Sequence, residues 1–438
     1  MTPPTKVSDF RYDSGEAKVP WAAVGENVNA QDVAEIVRFL IRPAAGKEAE
    51  YHQLFERLTH ELQSLASVGQ PSGKLTLGGQ VTALEQQVSQ LLGTRHSVFL
   101  TNCTAGIEIV SKYVGLQPGD EVIAPAITFI ASITYALSVG AKVVLADVDP
   151  RTMNMDPADV ARKITPRTKL IIPVHLGGYP VDMDPIMKLA DERGITVLED
   201  AAHALGASYK GRMCGAIGHF GAFSFHEVKN VTSLGEGGIL CTNLPFGEQF
   251  SKARFLGLDF SRQVPTWLYD VTTVEGKAGP FVAGNHSTTE IQALALAAQL
   301  RRLPQILAKR RQAAEYLSGR LAGVPGLITP PMDDADIKSS HHLYLLQVDP
   351  KALGADVQEL KKQLARRGLV QIAHFAPLYK LQIMRQLGYD VDALQQSCPV
   401  AEEAFIHRFT HLPLYDYNTE QLNYMADAII DAAREIRG

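Results

Sequence analysis

The sequence predicts an α/β protein with a mostly parallel central sheet and helices on both faces, and three observations lead there. From Gly79 onward, helix-period segments alternate with short β-branched runs. Those runs are apolar along almost their whole length, as strands covered on both faces are. With 438 residues, 46% of them hydrophobic, the chain can bury a main domain and a smaller one without disulfide staples.

The elements follow in order. Residues 1–75 predict an N-terminal helical extension. Asn29, with Asp32 three residues on, marks a helix start, and Val33, Ile36, Val37 and Leu40 recur at helical spacing. A second helix is expected from Lys47 to Ser67, with Tyr51, Leu54, Phe55, Leu58, Leu62 and Leu65 on one stripe. Both stripes should be buried, on the core or on a partner subunit. GQPSGK, Gly69 to Lys74, reads as the linker into the main domain.

Residues 76–300 predict the large α/β domain. VTALEQQVSQLLG is an amphipathic helix ended by Gly93, HSVFLTN a strand, and CTAGIEIVSKYVG a helix with Ile107, Val110 and Val114 on one face. EVIAPAITF, AKVVLADVD, KLIIPVHLGG, ITVLED, GAFSFH and GGILCTN supply the other strands. Ser261 to Asn285 lacks periodicity and reads as a long loop of functional kind. Residues 301–438 predict a small C-terminal α+β domain. Its parts are the connecting helix QLRRLPQILAKRRQAAEYLSGRL, the runs LYLLQVD and LVQIAHFAPLY, and the closing helix TEQLNYMADAIIDAAREIRG.

Composition narrows the function classes. Lys and Arg number 42 against 47 Asp and Glu, a net charge of −5, so no basic footprint for nucleic acid or a membrane surface is present. The four cysteines, Cys103, Cys214, Cys241 and Cys398, show no CxxC spacing, so neither a metal site nor a disulfide framework is expected. The N-terminus lacks a signal-peptide pattern, and no run of about 18 apolar residues occurs. A cytoplasmic protein is expected.

The chemistry centres on AFSFHEVKNVTSLGEGG, Ala222 to Gly238, which carries Lys229 between an apolar run and a glycine-rich turn. Asp200 ends ITVLED, at the carboxyl end of a strand where open α/β sheets place their ligand crevice. HSVFLTN runs straight into a helix, so the free amides of Cys103, Thr104 and Ala105 form an anion site at its positive end. Ser224, five residues before Lys229, can reach the same anion. A carboxylate for a pyridine nitrogen, a helix start for a phosphate and a lysine for an aldehyde together call for pyridoxal phosphate. Each signal alone is more often ordinary structure: a strand-end Asp or helix-start Thr is usually a cap, and a loop Lys is usually solvated. Their joint order along one chain is what carries weight.

On LEDAAHALGASYKGRMCGAIGHFGAFSFHEVKNVTSLGEGG, TFIASITYALSVGAKVVLADVDPRTMNMDP and TEIQALALAAQLRRL, the chain resembles the DegT/DnrJ/EryC1/StrS family of pyridoxal-phosphate-dependent sugar aminotransferases from about Leu77 onward. The resemblance implies the type I aminotransferase fold. It makes Lys229 the Schiff-base lysine and Asp200 the partner of the pyridine nitrogen. It puts His203 against the cofactor ring or its phenolic oxygen and Phe129 on the ring face. Cys103, Thr104 and Ser224 match the phosphate cup, and Asn285 matches an asparagine reaching the phosphate of the neighbouring subunit, hence a homodimer with shared sites. Outside the family, His203 and Phe129 would read as core residues.

Two departures stand out. The family's Ser-Gly-Thr is Asn102-Cys103-Thr104 here, which is tolerable if the backbone needs no positive φ. The tyrosine and following basic or amide residue that the family places after Asn285 are His286 and Ser287, where substrate specificity is expected. The implied reaction is a ping-pong transamination from a donor such as L-glutamate to a (nucleotide-linked) ketosugar, as in amino sugar biosynthesis, with pyridoxamine phosphate between the halves. A transaminase of non-sugar ω-amines or polyamines is the alternative that His286 and Ser287 keep open. A sugar dehydratase is set aside because that branch of the family carries histidine where Lys229 stands. A non-catalytic regulatory protein is set aside because Lys229 and Asp200 are both present.

Overall fold

The computed structural model describes residues 28–70, 75–259, 261–262, 270–369 and 375–438. Helix α1 (Ala30–Leu40) starts where the sequence places it: Asn29 accepts from the Gln31 and Asp32 amides while Asp32 accepts from the Asn29 amide, a reciprocal cap. Helix α2 (Glu48–Val68) folds back on α1. The Arg38 guanidinium lies 4.5 Å over the Phe55 ring, and the Tyr51 hydroxyl donates to the Ile41 carbonyl at 2.6 Å. The expected burial of both stripes is not met within the chain. Only Ala34 and Phe55 are buried, and Ile36, Leu40, Leu54, Leu58 and Leu65 remain exposed, because the two helices cover little beyond each other. Residues 71–74 of the expected linker lie outside the described residues.

The main sheet is built from β1 (His96–Leu100), β2 (Glu121–Pro125), β3 (Lys142–Ala146), β4 (Thr168–Ile171), β5 (Thr196–Asp200), β6 (Phe220–Ser224) and β7 (Gly238–Thr242). The spatial order is β1-β7-β6-β5-β4-β2-β3, all parallel except β7, which is antiparallel to both neighbours. Thirteen residues separate β6 from β7, and they hold no helix that could carry the chain back for a parallel pairing. Strand residues alternate between two cores. Leu100, Val122, Leu198, Phe220 and Leu240 join α4 (Cys103–Tyr113) and α5 (Ala131–Ser138) on one face. Phe99, Ile123, Val197, Phe223 and Ile239 join α3 (Gly79–Leu92), α6 (Met183–Arg193) and α7 (Glu290–Leu300) on the other. The Glu290 carboxylate fastens α7 to α3 by accepting from the Gly78, Gln80 and Val81 amides.

Helix α8 (Leu303–Leu321) begins in the second core with Leu303 and ends in a third with Leu317 and Leu321. That third core lies under β8 (Leu343–Val348) and β9 (Phe409–Pro413), which pair antiparallel, and the closing helix α9 (Thr419–Arg437). In β8, Tyr344, Leu346 and Val348 face this core, whereas Leu343 and Leu345 face the main sheet's. The small unit is thus packed onto the large one. Part of LVQIAHFAPLY, residues 370–374, lies outside the described residues. The expected loop from Ser261 to Asn285 is interrupted: Val274–Gly276 pairs with Gly279–Phe281 in a ribbon, and Asp270–Val271 pairs with Leu258–Asp259. Three-residue strands are too short to register as periodicity. Residues 263–269 lie outside the described residues.

Candidate active site

A cavity of about 490 Å³ lies where the carboxyl ends of β5 and β6 meet the start of α4, with residues of α8, β8 and β9 closing it from the small unit. Asp200, Lys229, Cys103, Thr104, Ser224, His203 and Phe129 all line it.

Asp200 is the last residue of β5, and its amide donates to the Pro173 carbonyl at 2.8 Å. Its carboxylate is met by the Ser132 hydroxyl at 2.8 Å on Oδ2, by the Ala202 amide at 3.2 Å on Oδ1, and by the Cys103 thiol 4.0 Å from Oδ1. Since Ser132 gives its proton to Asp200, the Thr128 hydroxyl, 3.2 Å away, donates to Ser132. Two hydroxyls of the α5 region therefore form a chain of donors that ends on a buried carboxylate.

The start of α4 is capped by Asn102, whose Oδ1 accepts from the Ala105 amide at 2.9 Å. The amide of Ala105 is therefore not free, and Ala105 does not line the cavity, a departure from the sequence expectation with the cap as its cause. Cys103 and Thr104 keep first-turn amides that have no acceptor within the helix. The Cys103 backbone is helical, so a side chain in place of glycine is accommodated. The close approach occurs instead at Gly238, where β7 passes under this turn. A Cβ there would fall 2.2 Å from the Asn102 carbonyl carbon and 2.5 Å from the Cys103 nitrogen.

Lys229 sits in the loop between β6 and β7, which is closed by the Phe225 amide on Gly237 O (2.8 Å) and the Glu227 amide on Gly235 O (3.0 Å). The next residue, Asn230, ties the loop to the small unit: its Nδ2 donates to the Ser340 carbonyl at 3.0 Å, and its Oδ1 lies 2.9 Å from His342 Nδ1. Burial pushes the Lys229 amine below the usual lysine range, against the opposing pull of Asp200. The Cys103 thiol is pushed well up by burial and then by Asp200. His203 accepts from the Gly177 amide at 3.3 Å through Nδ1 and stacks on His342 with centroids 4.3 Å apart. Burial, and next the Lys229 charge, hold both imidazoles well below the usual histidine range. Phe129 is 63% exposed, its ring uncovered at the cavity edge.

Asn285 is not brought into its own chain's cavity; its Oδ1 accepts from the Ser287 amide and hydroxyl at 3.1 and 2.7 Å. His286 and Ser287 do not line the cavity either, and His286 Nε2 lies 3.7 Å from Glu108. Sequence reasoning passed over Thr128, Ser132, Asn230, Arg310 and His342. The run Ser339-Ser340-His341-His342 before β8 is a local signal that could have found one of them, His342.

A doubly wound sheet with one reversed strand, a lysine loop leading into it and an acid at a strand end define the type I aminotransferase fold. Residues 57–430 match the DegT/DnrJ/EryC1/StrS aminotransferase family, and the chain belongs to that family. It is 35% identical over 375 residues to the spore coat polysaccharide biosynthesis protein SpsC of Bacillus subtilis, covering 83% of this chain and 91% of SpsC. Among solved structures it is similar to the putative sugar aminotransferase Spr1654 of Streptococcus pneumoniae in its PLP form (29% identity, TM-score 0.74, 83% of this chain and 94% of that one). It is also similar to 3-amino-5-hydroxybenzoic acid synthase (30% identity, TM-score 0.74, 83% and 93%).

Proposed function

We propose that this chain is a pyridoxal-phosphate-dependent aminotransferase that moves an amino group from an amino acid such as L-glutamate to a ketosugar, free or nucleotide-linked. The observation that carries this is one cavity holding a buried amine, a hydrogen-bonded carboxylate and the open start of a helix. The donor set fits the cofactor. The Cys103 and Thr104 amides with the Ser224 hydroxyl suit a phosphate, the Gly238 close approach leaves the turn tight, and the uncovered Phe129 face suits a flat ring.

When bound, pyridoxal phosphate supplies a ring that takes up the electron pair left on the donor's α-carbon. Asp200 would hold the proton on the ring nitrogen. Lys229 Nζ would hold the cofactor through its aldehyde and, when free, would take the proton from the donor α-carbon; burial favours its neutral, basic form. His203, stacked on His342, would lie beside the ring. The enzyme works as a cytoplasmic homodimer in which Asn285 reaches the neighbouring subunit's cavity, a reading supported by its side chain standing outside its own. Among the described residues no helix is long and apolar enough to cross a membrane.

Lys229→Ala is expected to keep the cofactor, lose the visible band of the lysine-bound form, and lose turnover by about 10²- to 10⁴-fold, as removal of a proton-transfer group does. Undiminished turnover in this variant would remove Lys229 from the reaction.

A further inference from the structure

Helix α8 carries three consecutive cations, Lys309, Arg310 and Arg311, with different fates. Lys309 pairs with Asp416 at 2.6 Å. Arg311 Nε lies 3.1 Å from Asp333 Oδ2, an ion pair whose angle falls short of a hydrogen bond. Arg310 is only 8% exposed, lines the catalytic cavity, and has no carboxylate partner among the described residues. Among the described residues its hydrogen bonds run from Nη1 to backbone carbonyls of Leu414, His342 (3.4 Å) and His341 (3.5 Å). Burial pushes the guanidinium down to about 10, which leaves it charged at neutral pH.

A buried cation without a counter-charge is unfavourable, and a fold that keeps one beside a cavity gains that energy back when an anion enters. Nε and Nη2 remain for it, a planar edge matched to two carboxylate oxygens. On the aminotransferase reading, we propose that Arg310 seats the α-carboxylate of the amino donor. In an α-amino acid the carboxylate is one bond from the carbon that Lys229 must reach, so both fit within one cavity of about 490 Å³. In a nucleotide-linked acceptor the phosphates are separated from the reacting ketone by the sugar ring.

The test uses the holoenzyme and the bleaching of its visible band by glutamate. Glutarate should compete with glutamate at a concentration at least about 10-fold lower than glutaramide, its uncharged diamide. L-Isoglutamine, which is glutamate with only the α-carboxylate turned to an amide, should need at least about 10-fold more than glutamate to bleach the band, the size of one charge-assisted contact; equal potency of isoglutamine and glutamate would overturn the proposal. Arg310→Lys, which keeps the charge but loses the fork, and Arg310→Gln should raise the KM for glutamate by about 10- to 100-fold. Both should leave the acceptor half-reaction of the pyridoxamine form unchanged, and bleaching by a primary amine lacking a carboxylate should also be unaffected. An acceptor defect with a normal donor reaction would assign the guanidinium to a phosphate and sink the proposal. If the Arg310 variants fail to fold, the glutamate and isoglutamine comparison on the unaltered protein decides. Failure of every amine to bleach the unaltered holoenzyme would instead remove the aminotransferase reading on which the proposal stands.

Discussion

Asp200 and Arg310 are both buried and both face the cavity, yet one is satisfied and the other is not. Asp200 ends a strand of the large sheet and receives Ser132, the Ala202 amide and a nearby thiol before any ligand arrives. Arg310 belongs to the helix that bridges the two units, and its bonds use a single nitrogen. A carboxylate held by its own neighbours suits a group that stays bound through many turnovers. A guanidinium with open donors suits one that comes and goes. On the proposed reading, the difference separates the cofactor half of the cavity from the substrate half.

The largest expected effect tests the first half. Asp200→Asn keeps the size of the side chain but removes its charge, so on the proposed reading the ring proton loses its partner in both directions of the reaction. Single-turnover rates with glutamate and with the acceptor should each fall by about 10²- to 10³-fold, the scale of a lost preorganised electrostatic contact. If only the donor half slows, the division between the two charges fails.

The legibility of these two residues in the sequence differs for a physical reason. Asp200 ends an apolar run and Lys229 follows another by a few residues, so the run of strands alone puts both near the sheet's carboxyl edge. The strands and α1 were legible in the same way, through local period and capping chemistry. Arg310 sits in a charge-rich helix where three cations in a row look solvated, and only the fold reveals that the middle one turns inward. His342 and Asn230 meet across 112 residues, a contact no local pattern encodes. The Ala105 amide could have been judged better: Asn102 is a strong cap residue, and a capped helix start has fewer amides to offer. The stripe on α2 marked a helix correctly but said nothing of what would cover it.

A smaller effect concerns pH. His203 and His342 are held neutral by burial, well below the range they would show in the unfolded chain. Below about pH 6.5 the unfolded chain takes up protons that the folded one refuses, so stability is full above that value and is lost as pH falls. Each histidine contributes a slope of at most about 1.4 kcal/mol per pH unit. The Tm measured between pH 7.5 and 5.0 should therefore drop. Replacing His342 with glutamine should flatten the slope, and an unchanged slope would show that this part of the cavity is not kept neutral at the cost of stability.

The smallest effect is the most discriminating, because it touches Asp200 without changing its charge. Ser132→Ala removes the donor to Oδ2 and leaves the Thr128 hydroxyl without its acceptor. One hydrogen bond to a charged group is worth about 1.5–3 kcal/mol, but the Ala202 amide and the cofactor itself still hold the carboxylate, so only part of that should reach the rate. The expected fall in kcat is about 3- to 10-fold in both half-reactions, with the KM for glutamate unchanged and Ser132→Thr restoring the rate. A structural defect would instead lower Tm and cofactor content with no rescue by threonine. A rise in the KM for glutamate would mean that the Asp200 network also shapes the donor seat, and the two charges would then act as one site.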